Sequence, residues 1–513
     1  MRSIYLLIIV VITSLLVSCN KALELSPENS LTYKNGLVAR EDFEAALRGA
    51  GQLLVYEVRD QHIVQPMKGE YADDEEPGVL PERFLSHNNV KDGSWTLHYQ
   101  LIAQSDMILK YIDDAEFDQQ WKDIYKGQAY FYKSIAYFEL IRQFGDCILV
   151  DEEISVEPKA KTPWPQVAEH AIELSEIAAQ LLPEAGILSQ LNEIRGINRT
   201  IPSRGAANAL LAHLCAWKAG CAYLTDEPSD SDELWAKAEA ATSEIISSAD
   251  YQLASNPEDV ASAVLTGSSV ETVFESPFRN SWHETDPVSH SYPFVPGNFF
   301  QQWPVRPGSS PLDRAILPIN NESIKTMFTD MDMRKTAWFY DFEEMSKAEH
   351  DSITGGLAYP HKYREVEIGT GGWFNGQMLN FNVNKIWWRL ADIILLRAEC
   401  RVHTGNIAGA VGDLNTVRLR AGARQYSPDE YNGDLRYTIF KEREKELLME
   451  GHRYYDVIRN GYVNKELKGG FQIATLQDLR DGALFLAISK YGIPNEFSNN
   501  PYLEQNRYWS KFY

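Results

Sequence analysis

Apolar residues recur at spacings of three and four through two long stretches of this chain, and that periodicity is the strongest constraint on its fold. Between Trp121 and Phe144, one stripe is Tyr125, Ala129, Tyr132 and Ala136, and a second is Ile124, Phe131, Ile135 and Phe138. A helix apolar on two faces is buried between neighbours. Gly145-Asp146 stops it. From Ser203 to Leu224 the pattern returns in Ala207, Leu210, Leu214, Trp217 and Cys221. The acidic turn Thr225 to Asp232 leads into a return helix striped by Trp235, Ala238, Thr242 and Ile245. Near the C-terminus, Leu390, Ile394 and Ala398 stripe a helix that Thr404-Gly405-Asn406 ends. Ala410, Leu414, Val417 and Ala421 stripe the next. Short turns make such partners antiparallel neighbours. Hairpins of roughly 34 to 45 residues have the length of tetratricopeptide-type units. The spacing therefore predicts a mainly α fold, a tetratricopeptide-like helical-repeat scaffold with hairpins over about 95–250 and 387–460. A shorter helix is expected from Glu41 to Arg48, with Gly49 as its stop.

Between about 251 and 385 the helical stripes weaken. Pro, Gly, Asn and aromatic residues concentrate there, among them Trp282, Tyr292, Phe294, Phe299, Phe300, Trp303, Trp338, Tyr340, Trp373 and Phe374. This reads as an irregular, loop-rich layer with a few short strands, laid over the scaffold. Long structured loops of this kind usually carry function.

The N-terminus bears on location. Met1 and Arg2 open with a positive charge, and an apolar run from Ile4 to Val17 follows, broken only by Thr13 and Ser14. Spanning a bilayer takes about 20 apolar residues. This run has instead the length and charge order of a signal-peptide core. It ends in Leu16-Val17-Ser18-Cys19, which resembles the bacterial lipoprotein cleavage site, where the Cys becomes the acylated first residue. The expectation is a signal peptide over 1–18, lipidation at Cys19, an extended tether over 19–40 and a folded part over 41–513. Several acyl chains anchor stably, because each buried methylene contributes about 0.8 kcal/mol. The alternative is an ordinary signal peptide with an incidental Cys.

A net charge of −23 argues against a nucleic-acid partner, whose phosphates would repel the chain. The remaining cysteines, Cys147, Cys215, Cys221 and Cys400, lack zinc-site spacing, and no metal is expected. Cys215 and Cys221 lie six residues apart on one helix, so they face apart and are separated by about 9 Å along the axis. Buried free thiols are expected, with a bridge such as Cys147 to Cys400 as the alternative. There is no His-Glu-x-x-His, phosphate loop or Gly-x-Ser-x-Gly elbow. Gly369, Gly371, Gly372 and Gly376 do not fit a dinucleotide fingerprint. The run from Lys441 to Arg453 reads as one charged helix with Glu442, Glu446 and Glu450 on a single face. Like charges at that spacing cost a few tenths of a kcal/mol per pair, so cations must offset them, with Arg418 and Arg420 as candidates. A structural ion-pair network joining the last helices is the expectation there, ahead of a binding site.

Several motifs, in order, resemble the SusD/RagB nutrient-uptake lipoproteins of the Bacteroidetes outer membrane. Cys19 is followed by Leu23-Glu24-Leu25-Ser26-Pro27. Trp95-Thr96-Leu97-His98-Tyr99 is similar to the family's first helix. Gly127-Gln128-Ala129-Tyr130-Phe131, leading to Leu140-Ile141-Arg142-Gln143-Phe144-Gly145-Asp146, is similar to its second. Ser203-Arg204-Gly205-Ala206-Ala207 opens the next. Leu395-Leu396-Arg397-Ala398-Glu399, Leu414-Asn415-Thr416-Val417-Arg418, Glu442-Arg443-Glu444-Lys445-Glu446-Leu447 and Glu450-Gly451-His452-Arg453-Tyr454-Tyr455-Asp456 form the strongest block. Ile493-Pro494-Asn495-Glu496 and Asn500-Pro501-Tyr502-Leu503 close the chain. Cys147-Ile148 and Arg507 depart from the family pattern at scaffold positions.

The resemblance implies four tetratricopeptide-like helix pairs under an irregular ligand-binding layer. It also implies a surface lipoprotein of the outer membrane that sits as a lid on a SusC-like TonB-dependent barrel. Such a protein captures oligosaccharides, or in some members peptides, without catalysis or a cofactor. Sugar rings have apolar faces that stack on aromatic side chains, which makes Trp282, Tyr292, Phe300, Trp303 and Trp373 the candidate platform. A glycoside hydrolase and a helical scaffold without a small ligand are the remaining rivals.

Overall fold

The structure is a computed structural model that describes residues 37–60, 69–73, 92–150, 157–226, 230–277, 303–372, 375–489 and 500–512. Its helices include α1 (Arg40–Asp60), α2 (Thr96–Tyr111), α3 (Gln119–Phe144), α4 (Trp164–Leu181), α5 (Arg204–Gly220), α6 (Ser231–Ser247), α7 (Leu390–His403), α8 (Ile407–Arg420), α9 (Leu435–Glu446) and α10 (Arg453–Arg459). Helices α1 to α8 pack in chain order, each against the next, as antiparallel hairpins stacked side by side do. The doubly apolar helix behaves as its two stripes require. α3 lies between α2 and α4, with Phe131, Ile135, Ala136 and Tyr137 fully buried. The Asp118 side chain accepts from the Gln120 N–H at its start, and Gly145 ends it at φ +72°. Ser203 and Asn406 cap α5 and α8 in the same way, each cap contributing about 1 kcal/mol.

The first helix is longer than the sequence suggests. It passes through Gly49 and Gly51 to Asp60, because Leu47, Ala50, Leu54 and Val55 continue a buried stripe against α2. Tertiary packing overrides the weak helix propensity of glycine. Among the described residues, no helix is long and apolar enough to cross a membrane. Cys147, Cys215, Cys221 and Cys400 are buried free thiols.

Short two-stranded ladders hold the region between α6 and α7. They are β2 (Thr272–Ser276) with β7 (Lys385–Arg389), β3 (Ile319–Asn320) with β4 (Leu357–Ala358), and β5 (Val366–Ile368) with β6 (Met378–Phe381), all antiparallel. A parallel pair, β1 (Asp92–Gly93) with β8 (Ala487–Ile488), ties the C-terminal segment to α2. The β2–β7 ladder roots the irregular layer in the scaffold. Phe274 meets Phe131 of α3 edge to face at 4.8 Å, and Trp388 stacks on His213 of α5 at 5.6 Å.

The charged run near residue 450 is not one helix. α9 stops at Glu446, and a turn with Met449 at φ +66° and Gly451 at φ +86° leads to α10. Cations end the helix. Lys362 Nζ donates to the carbonyls of Glu446 (3.2 Å) and Leu448 (3.0 Å), and Arg389 donates to the Glu446 carbonyl at 2.7 Å. The buried Glu70 carboxylate accepts the Met449 and Gly451 N–H groups from the other side.

The three glutamates still converge, Glu442 and Glu446 from α9 and Glu450 from the turn. Arg389, at the end of β7, bonds Glu271 (2.8 Å), Glu446 (2.7 Å) and Glu450 (2.7 Å). Arg334 bonds Asp332, Glu442 and Glu446. Arg418 bridges Glu442 and Glu430, and Arg420 pairs with Glu446. The two arginines expected from sequence are present, joined by Arg334, Arg389 and Lys362 from the irregular layer. Burial alone would raise the Glu446 carboxyl, but the charges of Arg420, Arg389 and Arg334 together outweigh it and hold it below the usual range. Burial is likewise overcome at Glu442, which Arg334, Lys445 and Arg418 hold at about 2.

Breaking a buried pair leaves an uncompensated charge and costs about 3–5 kcal/mol. Glu446→Lys is expected to lose at least that much stability in urea or guanidinium unfolding, and wild-type stability would contradict the network's role. A carboxyl depressed in the folded state adds stability that is complete above its unfolded value. For Glu442, that contribution is expected to disappear as pH falls from 4.5 towards about 2. A Glu442→Gln variant should flatten the stability profile over that window, and an unchanged slope would count against the assignment.

Candidate functional site

Extended backbone in the irregular layer brings four rings together. Segments 338–340 and 359–361 run antiparallel beyond the β3–β4 ladder. Tyr340 N–H donates to the Tyr359 carbonyl at 2.8 Å, His361 N–H donates to the Trp338 carbonyl at 2.7 Å, and Phe339 faces Pro360. Trp338 and Lys362 go inward, where the Lys362 ammonium lies 3.9 Å from the Trp338 ring centroid and bonds Glu450 at 2.6 Å. Tyr340 and His361 are half-buried and meet at 5.5 Å. Trp303 stands edge to face with both Tyr340 (4.9 Å) and Tyr359 (5.1 Å). The Tyr359 hydroxyl donates to the Pro311 carbonyl at 2.7 Å, which fixes that ring.

Of the five platform residues expected from sequence, Trp303 is in this cluster. Trp282, Tyr292, Phe300 and Trp373 lie outside the described residues, as does Cys19. Tyr340 was visible only as part of the aromatic concentration, and Tyr359 and His361 were missed. The signal for them was the alternation Tyr359-Pro360-His361-Lys362-Tyr363, whose ring-bearing residues sit at every second position. Burial and the nearby Arg364 charge pull the His361 imidazole down to about 4, so at neutral pH it is uncharged, with one donor and one acceptor nitrogen. Tyr359 is buried, so the surface of the cluster is that of the half-buried Trp303, Tyr340 and His361, with the neutral imidazole as the polar group beside the rings. That chemistry recognises a ligand with apolar faces and a hydroxyl-bearing edge.

A family model described as SusD family matches residues 319–509, and one described as starch-binding associating with outer membrane matches residues 78–214. The chain is 23% identical to SusD-like protein P2 of Formosa agariphila over 500 residues, 89% of this chain and 90% of that relative. The fold is similar to that of a SusD homolog from Bacteroides thetaiotaomicron, with a TM-score of 0.71 and 21% identity over 92% of this chain and 98% of that one. It is also similar to a surface glycan-binding protein A from Bacteroides thetaiotaomicron in complex with laminarihexaose, with a TM-score of 0.67 and 16% identity over 91% and 99% of the two chains.

The position of His361 is testable by itself. Its ring resonances are expected to stay flat from pH 8 to about 5 and to move near pH 4. Because the folded state resists protonation, stability should fall as pH drops from 6.5 towards 4. A midpoint near 6.5 in an NMR titration would show an exposed imidazole and contradict the packing described.

Proposed function

The chain belongs to the SusD/RagB family, and we propose that it is a surface-exposed outer-membrane lipoprotein that captures oligosaccharides and delivers them to a SusC-like TonB-dependent barrel. The observation that carries this reading is the cluster of Trp303, Tyr340, Tyr359 and His361 on the loop-rich layer. Its rings can pack on the C–H faces of a sugar, and the neutral imidazole can read a hydroxyl. The laminarihexaose complex of the similar glycan-binding protein supports the ligand class. The family description that mentions the outer membrane supports the location.

The remaining parts of the reading follow from the sequence. Residues 1–18 direct export, Cys19 carries the lipid, and 19–40 tether a folded part that spans 41–513. Trp282, Tyr292, Phe300 and Trp373 extend the Trp303 platform. The role is capture without hydrolysis. The tether keeps the binding layer near the barrel, which raises the effective concentration of captured ligand at the pore.

Titration of the protein with a panel including laminarihexaose and a maltooligosaccharide is expected to give saturable binding by at least one glycan. Trp303→Ala and Tyr340→Ala should weaken it at least tenfold. Competition by peptides but by no glycan would replace the oligosaccharide with a peptide ligand. Release of new reducing ends during incubation would make the protein a hydrolase. Purification from native membranes should bring a barrel of the TonB-dependent class with it, and repeated isolation alone would count against delivery.

A further inference from the structure

A cavity of about 690 Å3 opens between the start of α4, the turn that follows α5, the segment 477–485 and the C-terminal segment 501–507. One wall is built from contacts among these parts. Asn506, 8% exposed, donates its amide N–H groups to the carbonyls of Phe144 (3.2 Å) and Leu486 (3.4 Å). Its amide oxygen is then turned to accept from Lys161 Nζ at 2.9 Å. Gly482 sits at φ +101°, and a Cβ there would stand 3.1 Å from the Asn506 Cβ, so this close approach uses a glycine. A positioned ammonium thus faces the cavity on a neutral partner.

An ammonium has three donors, and Asn506 takes one. Burial pulls the Lys161 ammonium down from its ordinary value, and the charges of Asp146 and Glu504 oppose that without closing an ion pair. Other groups on the walls are open in the same way. Asp146 accepts the Trp164 N–H at 2.9 Å and Asp481 accepts from the Gln477 amide at 2.9 Å, and among the described residues neither forms an ion pair. The exposed side chains of Glu504 and Arg507 form none either among the described residues. Arg480 and Asp226 are paired, at 2.7 Å.

This pattern restricts the ligand. The lining carries three cations, Lys161, Arg480 and Arg507, against four carboxylates, Asp146, Asp226, Asp481 and Glu504. An anion would meet the carboxylates and a cation the basic groups, so net charge of either sign gains little. A zwitterion such as a peptide terminus offers one charge of each sign and leaves the other groups unmatched. Hydroxyls donate and accept at once, so a neutral polyol answers donors and acceptors along the whole wall. Trp164, Phe485 and the 60% exposed Tyr502 add aromatic surface for its C–H faces. The volume falls inside the range of about 300–1,000 Å3 for ligand pockets.

We propose that this cavity is a second saccharide site, where Lys161 and Arg507 donate to, and Asp146 and Glu504 accept from, the hydroxyls of a short neutral oligosaccharide resting on Tyr502. It shares no residue with the Trp303 cluster and rests on the proposed function only for the class of its ligand. Ligand-observed NMR titration of the full chain carrying Trp303→Ala and Tyr340→Ala with maltotriose, laminaritriose and cellotriose tests it. At least one is expected to bind saturably, and adding Tyr502→Ala or Lys161→Met should weaken that binding at least tenfold. In the otherwise wild-type chain, Tyr502→Ala should reduce bound trisaccharide from two per chain to one, which keeps the test independent of the double variant's fold. Tyr502 is largely exposed, so its loss should leave the melting temperature unchanged. One trisaccharide per wild-type chain, bound as tightly in Tyr502→Ala and Lys161→Met, overturns the proposal and leaves capture at the Trp303 cluster standing. Saturation by triglycine and by none of the sugars overturns it as well. No binding of any glycan by the wild type overturns it together with the proposed function.

Discussion

The Arg389 guanidinium is the joint on which the rest of the structure turns. It sits at the end of β7, one residue before α7, and is almost fully buried among Glu271, Glu446 and Glu450. Those three carboxylates come from the entry to β2, the end of α9 and the turn that follows it. A buried arginine needs its donors filled, because desolvating a charge without partners costs several kcal/mol. The fork geometry of guanidinium suits several carboxylates at once. Arg389 therefore fixes where the irregular layer leaves the scaffold, where it returns and where the last helices stop.

From that joint the candidate site follows by short steps. Lys362 reaches the same acidic turn, and burial lowers its ammonium to about 8, with Glu450 partly opposing. Its neighbour His361 points to the other side of the extended strand and into the aromatic cluster. Rings that bind a ligand must be held in place before it arrives, since ordering them on binding subtracts from affinity. Here the edge-to-face contacts of Trp303 and the Tyr359 hydroxyl bond hold them above, and the cation network holds them below.

The helical scaffold was legible because it is repetitive. The two stripes on 121–144 dictate burial on both faces, and α3 is buried on both faces. Local propensity misled where long-range packing decided the outcome. Gly49 looked like a stop, but the stripe of Leu47, Leu54 and Val55 carried the helix past it. The run from Lys441 to Arg453 looked continuous, but cations from residues 362 and 389 capture the carbonyls that would have extended it. Arg418 and Arg420 were within reach of sequence reasoning because they lie one hairpin away. Arg334 and Lys362 were not, being about a hundred residues distant. The site shows the same division. The aromatic richness of the layer was plain, whereas the pairing of Tyr340 with Tyr359 depends on two backbone hydrogen bonds that no spacing announces.

The buried ion-pair network holds the irregular layer in place separately from the helical stack. Amide hydrogen exchange in a Lys362→Met variant addresses it most directly, because it removes one cation between the two parts and reads each by its own amides. The Tyr340 and His361 N–H groups should exchange at least tenfold faster than in the wild type, while those of α3 keep their protection. Unchanged exchange at Tyr340 and His361, or equal acceleration throughout α3, would contradict the account.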